Sequence, residues 1–385
     1  MSSSLSRLHR IFASPSSKPL ANPTAPTRKD LIDNLFKEKT LAILVENFKK
    51  LSARPWFRKN DKIYVKVIRR LALAKELPKI EEVLEHQKKF DDITNEGFAM
   101  RLISLYGKAG MFRHAFKLFD DMPELKCARS VKSFNTLLNA TIQSKNFDKT
   151  EKLFRELSSR LSMTPDHYSY NIVIKAFCEM GSLDSAVLML DEMEKNGVNP
   201  DLVSFNTILN GFYKSGHFSD GERIWARMEE TGIVPNIISF NAKLQGLVNG
   251  SKISEAVELA KQLQSREVKP DHGTYNILIK CCCDVGNLDE AKRLYDQFLK
   301  SDFAPNWTTY EALIPCVCEK GDFNLALKLS QECLGSNCYL NADTVQVVVD
   351  GLVKESKVEE AKKLVELKSS TNCGHWNLGM RQEDE

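Results

Sequence analysis

An aromatic residue followed by asparagine recurs along this 385-residue chain, at Phe134-Asn135, Tyr170-Asn171, Phe205-Asn206, Phe240-Asn241 and Tyr275-Asn276. A sixth aromatic, Tyr310, precedes Glu311, and the second positions are spaced by 36, 35, 35, 35 and 35 residues. A fixed period of this length limits the fold more tightly than composition does. Each period is one supersecondary unit that cannot bury its apolar face alone and must stack on its neighbours.

With the amide set as position five, the units run 96–130, 131–166, 167–201, 202–236, 237–271, 272–306 and 307–341, with a partial capping unit over 342–370. Residues 61–95 fit the register loosely, and the whole of 30–95 reads as degenerate, basic helical repeats. Each unit reads as two helices. The first carries the aromatic at position four and apolar residues at seven and eight, as in Phe205, Ile208 and Leu209. It ends near a glycine at position fifteen (Gly110, Gly181, Gly216, Gly286, Gly321), which suits the left-handed residue after a helix end. A small residue recurs at position twenty of the second helix, for example Ala115, Ala186, Gly221 and Ala291, and implies close helix approach. In unit 131–166, Asn146 and Thr150 stand where Gly and Ala are usual. The unit closes on Pro-Asp or Pro-Asn, where proline is expected to end the second helix and the polar residue to precede the next one. The fold expected is all-α: a right-handed α-solenoid superhelix of antiparallel helix-turn-helix repeats of about 35 residues.

The composition, 42% hydrophobic and 27% charged, is that of a globular protein, and no apolar run reaches the roughly 18 residues of a membrane span. Ten cysteines in a chain this long read as reduced thiols rather than a disulfide framework. Charge is unevenly placed. Residues 1–29 hold Arg7, Arg10, Lys18, Arg28 and Lys29 and no acid. Residues 30–75 hold twelve Lys/Arg against five Asp/Glu, a net +7, so with a total of +3 the remainder sums to −9.

The opening "MSSSLSRLHRIFASPSSKPLANPTAPTRK" is rich in serine, contains arginine and lacks acids, the composition of an organelle transit peptide. Leu5, Leu8, Ile11 and Phe12 lie at helical spacing beside Arg7 and Arg10. Residues 1–29 are therefore read as a targeting segment for the mitochondrial matrix, with the chloroplast stroma as the alternative, and 371–385 as a disordered tail.

The stretches "SFNTLLNATIQSKNFDKTEKLFREL" (133–157), "SFNTILNGFYKSGHFSDGERIWARMEETGIVPN" (204–236) and "TYNILIKCCCDVGNLDEAKRLYDQFLKSDFAPN" (274–306) resemble the P-class pentatricopeptide repeat proteins of plant mitochondria, including short members associated with the mitochondrial ribosome. The resemblance covers roughly 61–370 and is most specific over 131–306. It implies RNA reading at one base per repeat, by position five and the last position. Carried onto this chain, Asn135/Asp166, Asn171/Asp201 and Asn241/Asp271 imply uracil, and Asn206/Asn236 and Asn276/Asn306 imply a pyrimidine. The implied target is U-U-Y-U-Y. The resemblance also implies mitochondrial messenger or ribosomal RNA as partner, with mitochondrial ribosomal proteins beside it. Two other roles stay open: a structural constituent of the mitochondrial ribosome, and a protein-binding helical scaffold.

The same residues have a plainer role, since Asn near a helix start and Asp or Asn after proline are common capping and turn chemistry. Two units depart from the pattern. Unit 307–341 has Glu311 for the amide and Pro315 in its first helix, where proline is expected to kink or shift it, and unit 96–130 pairs Met100 with Ser130. Five bases are also few, because U-U-Y-U-Y recurs about once per 256 nucleotides of random RNA and site frequency counts as much as affinity. The basic stretch "FKKLSARPWFRKNDKIYVKVIRR" (48–70) reads either as an RNA-phosphate dock or as a solvated helix face.

No enzyme chemistry is expected. The deaminase signature of H-x-E with P-C-x-x-C is absent, no glycine-rich phosphate loop occurs, and Cys373 and His375 lack zinc partners. "CCC" (281–283) and "CVC" (316–318) sit on first helices, where residues two apart do not share a face. Neither cofactor, metal, membrane nor small-molecule substrate is expected.

Overall fold

The computed structural model describes residues 26–265, 268–336 and 338–370, and every regular element among them is a helix. The expectations for the targeting segment up to residue 25 and for the tail, Cys373 and His375 included, lie outside the described residues. The chain divides between Lys145 and Asn146 into two compact bodies.

The N-terminal body runs α1 (Arg28–Lys37), α2 (Leu41–Ser52), α3 (Pro55–Arg58), α4 (Asp61–Leu73), α5 (Leu77–Gln87), a 3-10 turn Asp91–Thr94, α6 (Glu96–Lys108), α7 (Phe112–Asp121) and α8 (Val131–Gln143). Thr27 caps α1 by accepting from the Asp30 N–H, so the sequence boundary at residue 29 falls inside this helix, whose first turn contains Arg28 and Lys29. Helix α6 packs against α4, α7 and α8. Unit 61–95 follows the register more closely than its sequence suggests: α4 begins at position one, α5 at position seventeen, and Lys75 takes the left-handed conformation (φ 58°) at position fifteen.

The C-terminal body continues with α9 (Asp148–Arg160), α10 (His167–Glu179), α11 (Leu183–Lys195), α12 (Leu202–Lys214), α13 (Phe218–Glu230), α14 (Ile237–Asn249) and α15 (Ile253–Ser265). It ends with α16 (His272–Asp284), α17 (Leu288–Leu299), α18 (Trp307–Glu319), α19 (Phe323–Gly335), α20 (Ala342–Lys354) and α21 (Val358–Ser370). Within this body each first helix from α10 on packs on its own second helix and successive first helices pack on one another, as α12 does on α13, α10 and α14. The result is an α-solenoid. Positions four, seven and eight form the buried stripe, with Phe205, Ile208 and Leu209 each 0% exposed. The position-twenty residue must be small: a Cβ on Gly221 would lie 2.5 Å from the Tyr213 ring.

Glycines at position fifteen take positive φ, 74° at Gly181 and 79° at Gly216. In unit 131–166 that conformation belongs to Lys145 (φ 57°), not to Asn146, and the extra residue of this unit is taken up at the end of α9, where Ser162 is left-handed. Proline does not end the second helices. Helix α11 stops at Lys195, and Gly197 (φ 74°) closes it, with the Val198 N–H on the Met193 carbonyl at 3.0 Å. Pro200 comes later, in the connecting loop, because the left-handed glycine already satisfies the last carbonyls. Helix α18 runs through Pro315 as one element.

Candidate nucleic-acid interface

The site is built from helix starts. Asp166, Asp201, Asn236, Asp271 and Asn306 are the N-caps of α10, α12, α14, α16 and α18. Each accepts the backbone N–H of a Ser or Thr three residues on, and that hydroxyl takes the cap's own N–H. Such caps satisfy N–H groups that have no partner inside the helix.

The cap side chain also reaches the preceding first helix. Asn171 Nδ2 donates to Asp201 Oδ1 at 3.1 Å, Asn206 to Asn236 at 3.2 Å, Asn241 to Asp271 at 3.0 Å and Asn276 to Asn306 at 3.2 Å. A third residue closes each node. Ser204 Oγ donates to Asn171 Oδ1 at 2.6 Å, and Ser239, Thr274 and Thr309 do the same for Asn206, Asn241 and Asn276. Four of the five pairs named from sequence are thus brought together. In the fifth, Asn135 sits half-buried on α8 of the N-terminal body and Asp166 caps α10 of the C-terminal one.

Each amide oxygen is engaged and one Nδ2–H is engaged, so one N–H remains per amide. The cap decides what stands beside it. Asp201 and Asp271 keep a second carboxylate oxygen, an acceptor, whereas Asn236 and Asn306 keep an NH2 group, a donor. Burial pushes the Asp201 carboxyl up, but the Ser204 N–H, the Asn171 amide and the Ser204 hydroxyl hold it below the usual carboxylate value. Asp271 is held below it likewise, by Thr274 and Asn241.

The two departing units keep the node with other atoms. Glu311 accepts the Asn341 N–H at 2.6 Å and the Thr344 hydroxyl at 2.9 Å, so a carboxylate stands where an amide N–H was. In unit 96–130, Glu96 accepts both the N–H and the hydroxyl of Ser130, at 2.9 and 2.7 Å.

Two of the node amides, Asn206 and Asn241, line a groove of about 600 Å³ along the first helices α10, α12, α14 and α16. Its walls repeat by position: Val203 and Ile238 at two, Asn206 and Asn241 at five, Thr207 and Ala242 at six, Asn210 and Gln245 at nine. Positions two, five, six and nine share one helix face. The sequence reading missed positions two and nine. The signal was present, because Tyr168, Val203 and Ile238 are apolar beside the cap yet outside the buried stripe, and they are 62%, 57% and 58% exposed. They bracket the amides with apolar surface.

The model of the PPR repeat family matches at 99–142, 129–179, 165–205, 200–249, 235–284 and 273–319, over half of the chain. The chain belongs to the PPR repeat family. In this PPR chain the segments that begin at 129, 165, 200, 235 and 273 start within two residues of the caps Ser130, Asp166, Asp201, Asn236 and Asp271. Two Arabidopsis thaliana relatives are small ribosomal subunit proteins. One, mS79 (rPPR3b), is 44% identical over 190 residues, 49% of this chain and 48% of that protein. The other, mS78 (rPPR3a), is 49% identical over 185 residues, 46% of each. The chain thus spans about half the length of these relatives. The crystal structure of the maize PPR protein PPR10 shares the fold, with a TM-score of 0.50 and 22% identity over 92% of this chain and 50% of that one.

Among the described residues, no group of three or more His, Cys, Asp or Glu is placed to hold a metal, and no helix is long and apolar enough to cross a membrane. The cysteines of 281–283 and 316–318 are buried, and burial pushes the Cys282 and Cys318 thiols up to about 11.

Proposed function

We propose that this chain binds single-stranded RNA one base per helix pair, selecting U-U-Y-U-Y through Asn135/Asp166, Asn171/Asp201, Asn206/Asn236, Asn241/Asp271 and Asn276/Asn306. The observation that carries the reading is the paired node repeated in register from unit to unit, with one amide N–H left over in each of the four and two of the amides, Asn206 and Asn241, lining an open groove. An Asn–Asp node offers a donor beside an acceptor, which complements the carbonyl and N3–H of uracil. An Asn–Asn node offers donors only, which suits the adjacent N3 and O2 acceptors of cytosine. Val203 and Ile238 supply apolar surface for the faces of neighbouring bases. Fluorescence anisotropy with U-U-C-U-C against single-base variants tests the reading; equal affinity for all of them overturns it.

The setting proposed is the mitochondrial matrix, as a constituent of the small ribosomal subunit that contacts ribosomal RNA and ribosomal proteins. The two ribosomal relatives favour this over control of one transcript, and so does the low information content of five bases. Binding and positioning RNA, rather than turnover, is the role proposed. Sedimentation of the tagged protein from gently lysed mitochondria tests it. Co-migration with the small subunit through moderate salt is expected, and migration in light fractions overturns the ribosomal setting and favours transcript binding.

A further inference from the structure

The groove of the C-terminal body defines which first-helix positions are open: two, five, six and nine. Helix α4 is the first helix of unit 61–95 and obeys the same register. Its positions three, four, seven, eight and eleven are the buried Ile63, Tyr64, Val67, Ile68 and Leu71. Its positions two, five, six and nine are Lys62, Val65, Lys66 and Arg69, all exposed.

This face has no reading node. Position five is Val65, and Asn95 at the unit's end caps α6 by accepting the Phe98 N–H. What stands there instead is cationic, and it remains so after internal pairing. Asp61, the sole acid on α4, is bound by Arg101 at 2.6 Å. Lys62 and Arg69 have no ion pair among the described residues, and Lys66 Nζ lies 3.9 Å from the Phe36 ring centroid. Three other basic residues of the segment are structural. Arg58 is buried on Asp92 and the Ser52 carbonyl, Arg70 donates to the Lys39 carbonyl, and Lys49 pairs with Glu46 and Glu82.

We propose that α4 is a phosphate-binding face, on which Lys62, Lys66 and Arg69 hold the backbone of single-stranded RNA without selecting its bases. The proposal rests on the reading of the chain as an RNA binder. The three residues follow i, i+4, i+7 spacing, so they step by about 6 Å and then about 4.5 Å along the helix. Helix α4 packs on α6 and α6 on α8, so the row leads within one body to Asn135. With a net −9 over residues 76–385, this end of the chain is where phosphate charge is best met. With the N-terminal unit at the 5′ end of the target, the backbone held lies 5′ of the bases read.

The test compares the full chain with Lys62→Gln/Lys66→Gln/Arg69→Gln. The probes are fluorescein-labelled U-U-C-U-C carrying four adenosines either 5′ or 3′, measured over a range of potassium chloride. The wild type is expected to bind the 5′-extended RNA more tightly than the 3′-extended one. The variant should lose that difference and weaken about tenfold or more at low salt. Its log K against log salt should flatten by about 2, roughly 0.7 for each of three phosphates. Preference for U-U-C-U-C over A-A-G-A-G should persist, and the far-UV spectrum and Tm should match the wild type. Unchanged affinity and salt slope in the variant, with base preference intact, overturn this proposal alone. The same result with loss of the variant from the ribosomal fraction makes the face a protein dock and also overturns it. Absence of RNA binding by the wild type overturns the functional reading, and this inference with it.

Discussion

Asn171 on one first helix donates to Asp201, the cap of the next, at 3.1 Å and across 30 residues of sequence. The same carboxylate oxygen accepts the Ser204 N–H at 2.9 Å. One side chain therefore caps a helix and sets the amide of the unit before it. Capping does not compete with the base reading proposed, because the cap leaves one edge of the pair open.

Asp201→Asn separates the two roles. Asn236 shows that asparagine makes the same cap and the same bond to the preceding amide. Stability is expected to change by less than about 0.5 kcal/mol, since Asp and Asn are near-equal caps. The preferred base at this unit should move from uracil toward cytosine. Competition binding with RNAs varied at that one position checks it, and an unmoved preference would leave capping as the residue's whole role.

Asn206→Ala should damage both roles. It removes an acceptor from the buried Ser239 hydroxyl and a donor from Asn236. A loss of about 1–2 kcal/mol in urea unfolding is expected. Discrimination at the third base should fall by about 1–3 kcal/mol while the other four positions keep theirs.

Acid should weaken the fold partly through Asp201 and Asp271. Both carboxyls lie below their ordinary value of 3.8 in the folded chain. A group lowered on folding adds stability that is complete well above 3.8 and is lost as pH falls below it, through the native value. Tm measured from pH 7 to pH 2.5 should therefore drop less steeply at the acid end in Asp201→Asn/Asp271→Asn than in the wild type.

Two glycines should respond differently to alanine. At Gly181, φ is 74° and an added Cβ meets nothing within 4 Å, so only backbone strain opposes the change, at about 1 kcal/mol. At Gly246, a Cβ would fall 2.7 Å from Tyr213 Cβ inside the stack of first helices. The cost there is expected to be about 1–3 kcal/mol despite alanine's better helix propensity. Thermal denaturation of both variants gives the order.

Thiol chemistry gives a check on packing. Burial pushes Cys178 up to about 12 and Cys282 and Cys318 up to about 11. These three should resist a thiolate-directed reagent at pH 7.5 in the folded chain and react once urea unfolds it. Rapid labelling under native conditions would mean the helix stack is looser than described.

Much of the fold was legible because the signals are local. The 3.6-residue stripe of Phe205, Ile208 and Leu209, the glycines at position fifteen and the polar cap before each first helix act within one or two turns, so a single unit declares its own helices. The second-helix ends were misread for the same reason. Pro200 is a strong local signal, yet Gly197 three residues earlier already closes α11. Unit 61–95 was underrated because its side chains diverge while its backbone keeps the register, down to Lys75 in the conformation usually given to glycine.

The sequence by itself determined the length of the unit, the place of each helix within it, and which positions could pair. Tertiary structure decided what those positions can offer. Whether an Asn amide keeps a free N–H depends on Asp201 and Ser204, 30 and 33 residues away, and those bonds exist only when successive units stack. Stacking likewise decided that positions two and nine face open space, and that Lys62, Lys66 and Arg69 are available while Arg58 is buried. Periodicity is written in neighbours along the chain, whereas availability is a property of what packs against them.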